Sequence, residues 1–259
     1  MTNKYEIHLK MNLYDDIILE CELPDFLKRD LDAFSIFPKS AIAIKTWSTL
    51  IHLYDALNGT IQSGRYNLVL SSKPIYEDAF KIYDEDDEIL RCTYLNSALM
   101  HYNCSFDIYL ECVWVGLGLY RYVKNEGQLS LNTNKEYEKI LSLCTYKIIK
   151  TLEDKIDDSL FEDIKTLRKK QKKIAGWTNN LKHRGNLVYA DFFEENIVAK
   201  TISKEENTVF DSSKSQSQVT IDKVVGSLIE YHKTLILVTR HLDIYYRNRI
   251  IQTAIKSTI

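Results

Sequence analysis

Apolar residues recur at three- and four-residue spacing along most of the chain, which is the signature of helices with one buried face. From Ser40 to Leu57, the residues Ala43, Trp47, Leu50, Tyr54 and Leu57 make such a face, and Asn58-Gly59 is placed to close it as a C-cap. The longest pattern runs from Asp86 to about Val123. Leu99, Tyr102, Phe106, Tyr109, Val113, Leu117 and Tyr120 fall on one stripe, the acidic residues Asp84 to Glu88 suit a helix N-terminus, and Lys124-Asn125-Glu126-Gly127 ends it. Asn134 then caps a helix with Tyr137, Leu141, Cys144, Ile148 and Leu152 inward. Asp157-Asp158 begin another, with Leu160, Ile164 and Leu167 inside. The final helix, Thr220 to about Lys256, buries Val224, Leu228, Leu235, Thr239, Leu242, Tyr246 and Ile250.

Other stretches read differently. Tyr5 to Leu23 mixes alternation with helical spacing, and Pro24-Asp25 looks like a helix start running towards Phe34. Thr60 to Ser72 sets Tyr66 and Leu68-Val69-Leu70 between Gly64 and Ser71-Ser72, which predicts a weak strand or hairpin. Ile202 to Val219 encloses a polar, helix-poor run and predicts a flexible surface loop. There is no internal repeat. The expected fold is therefore all-α: a four- to five-helix bundle over residues 86–259, carrying a flexible loop at about 202–219. Residues 1–85 form a smaller, mainly helical N-terminal part of unassigned role.

Composition agrees with this. Only 8 Gly and 3 Pro occur in 259 residues, so little breaks a long helix, and the 17 Tyr suit a core edge where ring and hydroxyl meet different surroundings. A formal net charge of −2 gives no global attraction to nucleic acid or anionic lipid, so any such contact must be a local patch. Five cysteines (Cys21, Cys92, Cys104, Cys112, Cys144) are odd in number and lack C-x-x-C spacing. They read as reduced, mostly buried thiols rather than a disulfide or zinc framework. No signal-peptide core precedes the first elements. The longest apolar run, Cys112 to Tyr122, is too short for a membrane span and contains Arg121. A cytoplasmic location, with no membrane contact, is the expectation.

Three groups of residues could carry chemistry. Asn103, Asp107 and Glu111 stand at i, i+4 and i+8 inside the most apolar helix, either as its solvent edge or as a polar wall facing a site. The Glu-x-x-His pairs of carboxylate-bridged metal bundles are absent. Arg168, Lys169, Lys170, Lys172 and Lys173 form the densest basic run, readable as a solvated helix end or as a phosphate-binding cluster. Immediately after it comes Thr178-Asn179-Asn180-Leu181-Lys182-His183-Arg184, with Trp177 before it and Gly185-Asn186 behind. In a helix, Asn179 and His183 share a face. Such a group can position a phosphodiester, move a proton and neutralise charge without a metal or cofactor. No phosphate-binding Gly-rich loop, H-E-x-x-H or G-x-S-x-G occurs.

The long helix with its internal acid, followed by helices and by Asn179-x-x-Lys182-His183-Arg184-Gly185-Asn186, resembles the HEPN superfamily. These are all-α bundles of prokaryotic toxin, phage-defence and CRISPR-associated proteins. Their signature is an Arg and a polar residue, then a His four to six positions after the Arg, commonly R-N-x-x-K-H. Here Asn179, Lys182 and His183 match, Tyr102-Asn103-x-x-x-Asp107 is similar to the family's acidic helix, and Thr178 stands where the Arg belongs. The resemblance covers roughly Asp86 to Ile250. It implies metal-independent RNA cleavage at a homodimer interface, within phage defence or a toxin–antitoxin pair. In that scheme His183 acts as acid or base on the 2′-hydroxyl and Asn179 orients the phosphate, while Lys182 or Arg184 substitutes for the missing arginine. Thr178 leaves a second reading open, a catalytically degenerate module that binds RNA, a nucleotide, an antitoxin or another protein partner.

Overall fold

The computed structural model describes residues 21, 41–72, 85–123, 129, 131, 133–184, 187–189 and 218–256. The predicted N-terminal helix start at Pro24, the chain stop at 124–127 and nearly all of the 202–219 loop lie outside them. Most of the described residues are helical, and the strands among them form one two-residue pairing. No helix among them is long and apolar enough to cross a membrane.

Helix α1 (Ala41–Ser72) and helix α2 (Glu85–Gly116) are 32 residues each, about 48 Å long, and pack along one another. Helix α1 runs on through Asn58-Gly59 and Gly64, so the predicted C-cap and the strand at Thr60–Ser72 are both replaced by helix. The reason lies in tertiary packing. Leu57, Ile61 and Leu68 keep the helical register and are fully buried against the core, overriding the local turn signals. Gly64 is a contact point rather than a break, because a Cβ there would lie 3.2 Å from the Tyr102 ring.

Helix α2 is apolar on almost every side, and Leu95, Ala98, Leu99, Tyr102, Phe106, Tyr109, Leu110, Cys112, Val113, Trp114 and Val115 are all buried. It ends at Gly116, earlier than the periodicity predicts. Gly118 adopts left-handed backbone (φ 66°), and a 3-10 turn, Leu119–Tyr122, follows. The Tyr246 hydroxyl donates to the Cys112 carbonyl at 3.0 Å and sits directly on Gly116.

Next come helix α3 (Asn134–Ser142) and helix α4 (Tyr146–Thr151), two short helices where the sequence suggests one. Thr133, not Asn134, is the N-cap of α3, and with Glu136 it completes a capping box. Thr145 caps α4 by accepting from the Ile148 amide, which restarts the helix. The phase shifts accordingly. Ile140 and Ile149 are the buried residues, while Tyr137, Leu141, Cys144 and Ile148 are only partly covered.

Helix α5 (Asp158–Arg184) starts where predicted, with the Asp157 carboxylate accepting from the Ser159 amide at 3.0 Å, and Leu160, Ile164 and Leu167 buried. Helix α6 (Ile221–Lys256) buries the expected residues from Val224 to Tyr246. Asp163 meets His241 and Lys170 meets Glu230, so α5 and α6 run antiparallel. The hydroxyl of Tyr102 shares a hydrogen bond of 2.8 Å with Nδ1 of His232, while Cys112 meets Tyr246, so α2 and α6 run parallel. A two-residue strand β1 (Val188–Tyr189) pairs in parallel with β2 (Gln218–Val219), and Tyr189 donates to Asn96 on α2 at 2.7 Å. Periodicity gave no signal for this pairing. No disulfide joins the five cysteines, and Cys21 and Cys112 are buried while Cys104 is exposed.

The Gly116 contact is testable. A Cβ at 116 would collide with the Tyr246 hydroxyl, so Gly116→Ala is expected to destabilise the protein by about 1–3 kcal/mol, read from urea unfolding. An unchanged unfolding midpoint would show that Tyr246 does not occupy this position.

Candidate functional site

Charge on α5 is sharply divided. Its carboxylates, Asp158, Glu162 and Asp163, all lie in the first six residues, and none follows from Ile164 to Arg184. That acid-free stretch carries Lys165, Arg168, Lys169, Lys170, Lys172, Lys173, Lys182 and Arg184. The basic run lies in the middle of the helix and not at its end. The helix dipole, which acts within the last turn, therefore does not explain it.

The structure divides these cations into engaged and available. Lys165 is bonded to Glu162 at 2.6 Å, and Lys170 to Glu230 at 2.7 Å. Arg168 turns inward, its guanidinium 5.4 Å from the ring centroids of both Phe106 and Tyr146 and hydrogen-bonded to Gln171. Lys169 and Lys172 are exposed and make no ion pair among the described residues. Lys173 is exposed, lies over the Trp177 ring at 5.5 Å and helps to hold the Glu230 carboxyl below its usual range. Lys169, Lys172, Gly176, Asn179 and His183 follow at spacings of three and four, all exposed, and so mark one side of α5. A Cβ at Gly176 would meet nothing within 4 Å, leaving the helix backbone open there.

The segment ending in His183 is the last two turns of this same helix. Asn179, Lys182 and His183 are exposed, with Asn179 and His183 one turn apart on the outer face. Thr178 points the other way. It is 0 % exposed and donates to the Ile174 carbonyl at 2.8 Å, so the position of the family's arginine faces the core. Arg184 closes the helix, and its side chain lies outside the described set, as do Gly185 and Asn186.

The polar wall resolves into different roles. Asn103 is 7 % exposed and accepts from the Gln171 amide at 2.7 Å, tying α2 to α5 within the basic run, about 18 Å of helix before His183. Gln171, buried among lysines, is the link that sequence reading missed, and its only signal was a neutral residue interrupting a cationic run. Asp107 is exposed on the residue average, yet its carboxyl is enclosed enough that burial raises its pKa against the opposing α5 cations. Glu111 is half-buried, and burial together with Asp107 pushes its carboxyl up to about 7. Among the described residues no group of three or more His, Cys, Asp or Glu could hold a metal ion.

Two outcomes follow from these placements. Thr178→Arg would push a guanidinium into the core, so it is expected to cost at least about 2 kcal/mol, measured by denaturant unfolding. Wild-type stability would mean that position 178 is not enclosed. For Glu111, the folded carboxyl holds its proton more tightly than the unfolded one, so its contribution falls as pH rises from about 4.5 to about 7. The melting temperature of the wild type relative to Glu111→Gln should fall across that window. Parallel curves would rule out a raised Glu111.

No family model matches the chain, and neither a curated protein nor a solved structure matches it, so the function is argued from the site's own residues.

Proposed function

We propose that this chain is a HEPN-like helical module that binds RNA along the outer face of α5. One observation carries the reading: a stretch without carboxylates displays Lys169, Lys172 and Lys173 on a helix of a chain whose net charge is −2. Local positive charge of this kind attracts a polyanion where the whole molecule does not. Thr178 supports binding over cleavage, because its buried side chain leaves the segment without the arginine that a HEPN nuclease sets beside its histidine.

A second reading, metal-independent endoribonuclease activity, is favoured by Asn179 and His183 standing together on the exposed side of the last turns. There His183 would take the 2′-hydroxyl proton and the freed oxygen would attack the adjacent phosphorus. The 5′-oxygen would leave with a proton, giving a 2′,3′-cyclic phosphate end. Lys182 is the exposed cation nearest in sequence that could offset the developing charge, and a second copy of the chain is the other source.

The test uses full-length protein with labelled RNA in a chelating buffer. Binding is expected in the wild type and in His183→Ala to within about threefold, because an exposed residue at the end of the face contributes little to total affinity. Absence of binding to RNAs of varied sequence would overturn the proposal. Cyclic-phosphate products that vanish in His183→Ala would promote the second reading, and products that persist would remove His183 from it.

A further inference from the structure

We infer that the α5 face takes a nucleic-acid strand lengthwise by its phosphodiester backbone and reads neither base nor sugar; this rests on the proposed function above and narrows its ligand. From Lys169 to Gly176 the groups that read bases are turned away from this face, and Asn179 and His183 lie beyond that stretch. Arg168, the one guanidinium of the run, lies against the rings of Phe106 and Tyr146. Gln171, the one amide within it, is engaged by Asn103 in the interior. Trp177, the one aromatic side chain near it, is only 9 % exposed and lies beneath Lys173. From Lys169 to Gly176 the outer side therefore offers lysine ammonium groups and open helix backbone. Ammonium is a compact charge that suits phosphate without the planar geometry that distinguishes bases. Stacking platforms, the usual means of holding unpaired bases, are missing from this side among the described residues.

Length then becomes the selective property. Lys169 and Gly176 are seven residues apart on one helix, about 10.5 Å, which matches about three phosphates at 3.4 Å per nucleotide of a stacked strand. A free phosphate or mononucleotide reaches one lysine and gains little. Gly176, with nothing within 4 Å of its missing side chain, lets the strand approach the helix at the end of that span. Nothing from Lys169 to Gly176 contacts a 2′-hydroxyl selectively, so DNA and RNA of equal length should be held alike.

The experiment is fluorescence anisotropy on the full chain with single strands of oligo(U), oligo(A), mixed-sequence RNA and the matching DNA. Shorter lengths, UMP and inorganic phosphate serve as competitors. Dissociation constants for the four long strands should agree to within about threefold, affinity should climb steeply up to about three nucleotides, and UMP should compete weakly. Three neutralised phosphates give a log–log salt slope near −2 on the order of the single-strand coefficient. Lys169→Gln with Lys172→Gln should weaken binding at least about tenfold and flatten the slope by about one to one and a half. Lys135→Gln, on exposed α3, is the charge-matched control, and melting curves confirm that all variants fold. Strong base preference, a marked RNA-over-DNA preference, equal competition by UMP, or a double variant that binds normally would each overturn this inference while leaving RNA binding intact. Failure of every strand to bind would overturn both.

Discussion

Helix α2 gives water only a narrow edge, marked by Cys104 and Asp107, between Leu95 and Val115, and the rest of the architecture follows from the need to enclose its other sides. Burial of each large apolar side chain is worth about 1.5–3 kcal/mol as an upper bound, so a helix apolar over most of its circumference must have neighbours on several sides. Helices α1, α5 and α6 supply them. Enclosure also brings polar groups inside, and these are bonded across elements: Tyr102 with His232, Trp114 with the Ile140 carbonyl at 2.9 Å, Tyr246 with the Cys112 carbonyl. Buried tyrosines suit this arrangement: Tyr102, Tyr189 and Tyr246 fill core volume and reach distant partners with their hydroxyls. Tyr54 and Tyr109 differ, their hydroxyls buried without a partner among the described residues and held protonated by burial.

The outer face of α5 is a by-product of that enclosure with chemical consequences. Leu160, Ile164, Leu167, Ile174 and Thr178 commit one side of the helix to the core, and Gln171 pins it to Asn103. Once the inner side is fixed, Lys169, Lys172 and His183 have no choice but solvent. Glu162 and Glu230 then neutralise two lysines of the same helix, so the basic run is less uniform than its sequence suggests. Surface ion pairs of this kind add little stability, and their main effect here is to decide which charges remain available to a ligand.

Much of the fold was legible in the sequence because long helices repeat their apolar signal many times. The start of α5 and the buried face of α6 were read to within a residue or two for that reason. Short elements failed where one residue decides the outcome. Thr145 restarts the chain as α4, and left-handed Gly118 stops the path beyond α2, but neither effect exceeds about 1–2 kcal/mol on its own and periodicity cannot register it. The opposite error occurred at Thr60–Ser72, where glycines and a short apolar run suggested a strand and packing against α2 imposed a helix. The β1–β2 pairing joins segments 28 residues apart and left no local trace.

For the candidate site, the sequence by itself determined which residue types gather on α5: lysines, Asn179 and His183, with no carboxylate among them. That follows from composition along one helix and needs no fold. Only the tertiary structure decided which of them face outward, because direction is set by the core that the inner side must join. That is why Thr178 is enclosed, Arg168 is held against two rings, and Lys169, Lys172, Asn179 and His183 stand together in water.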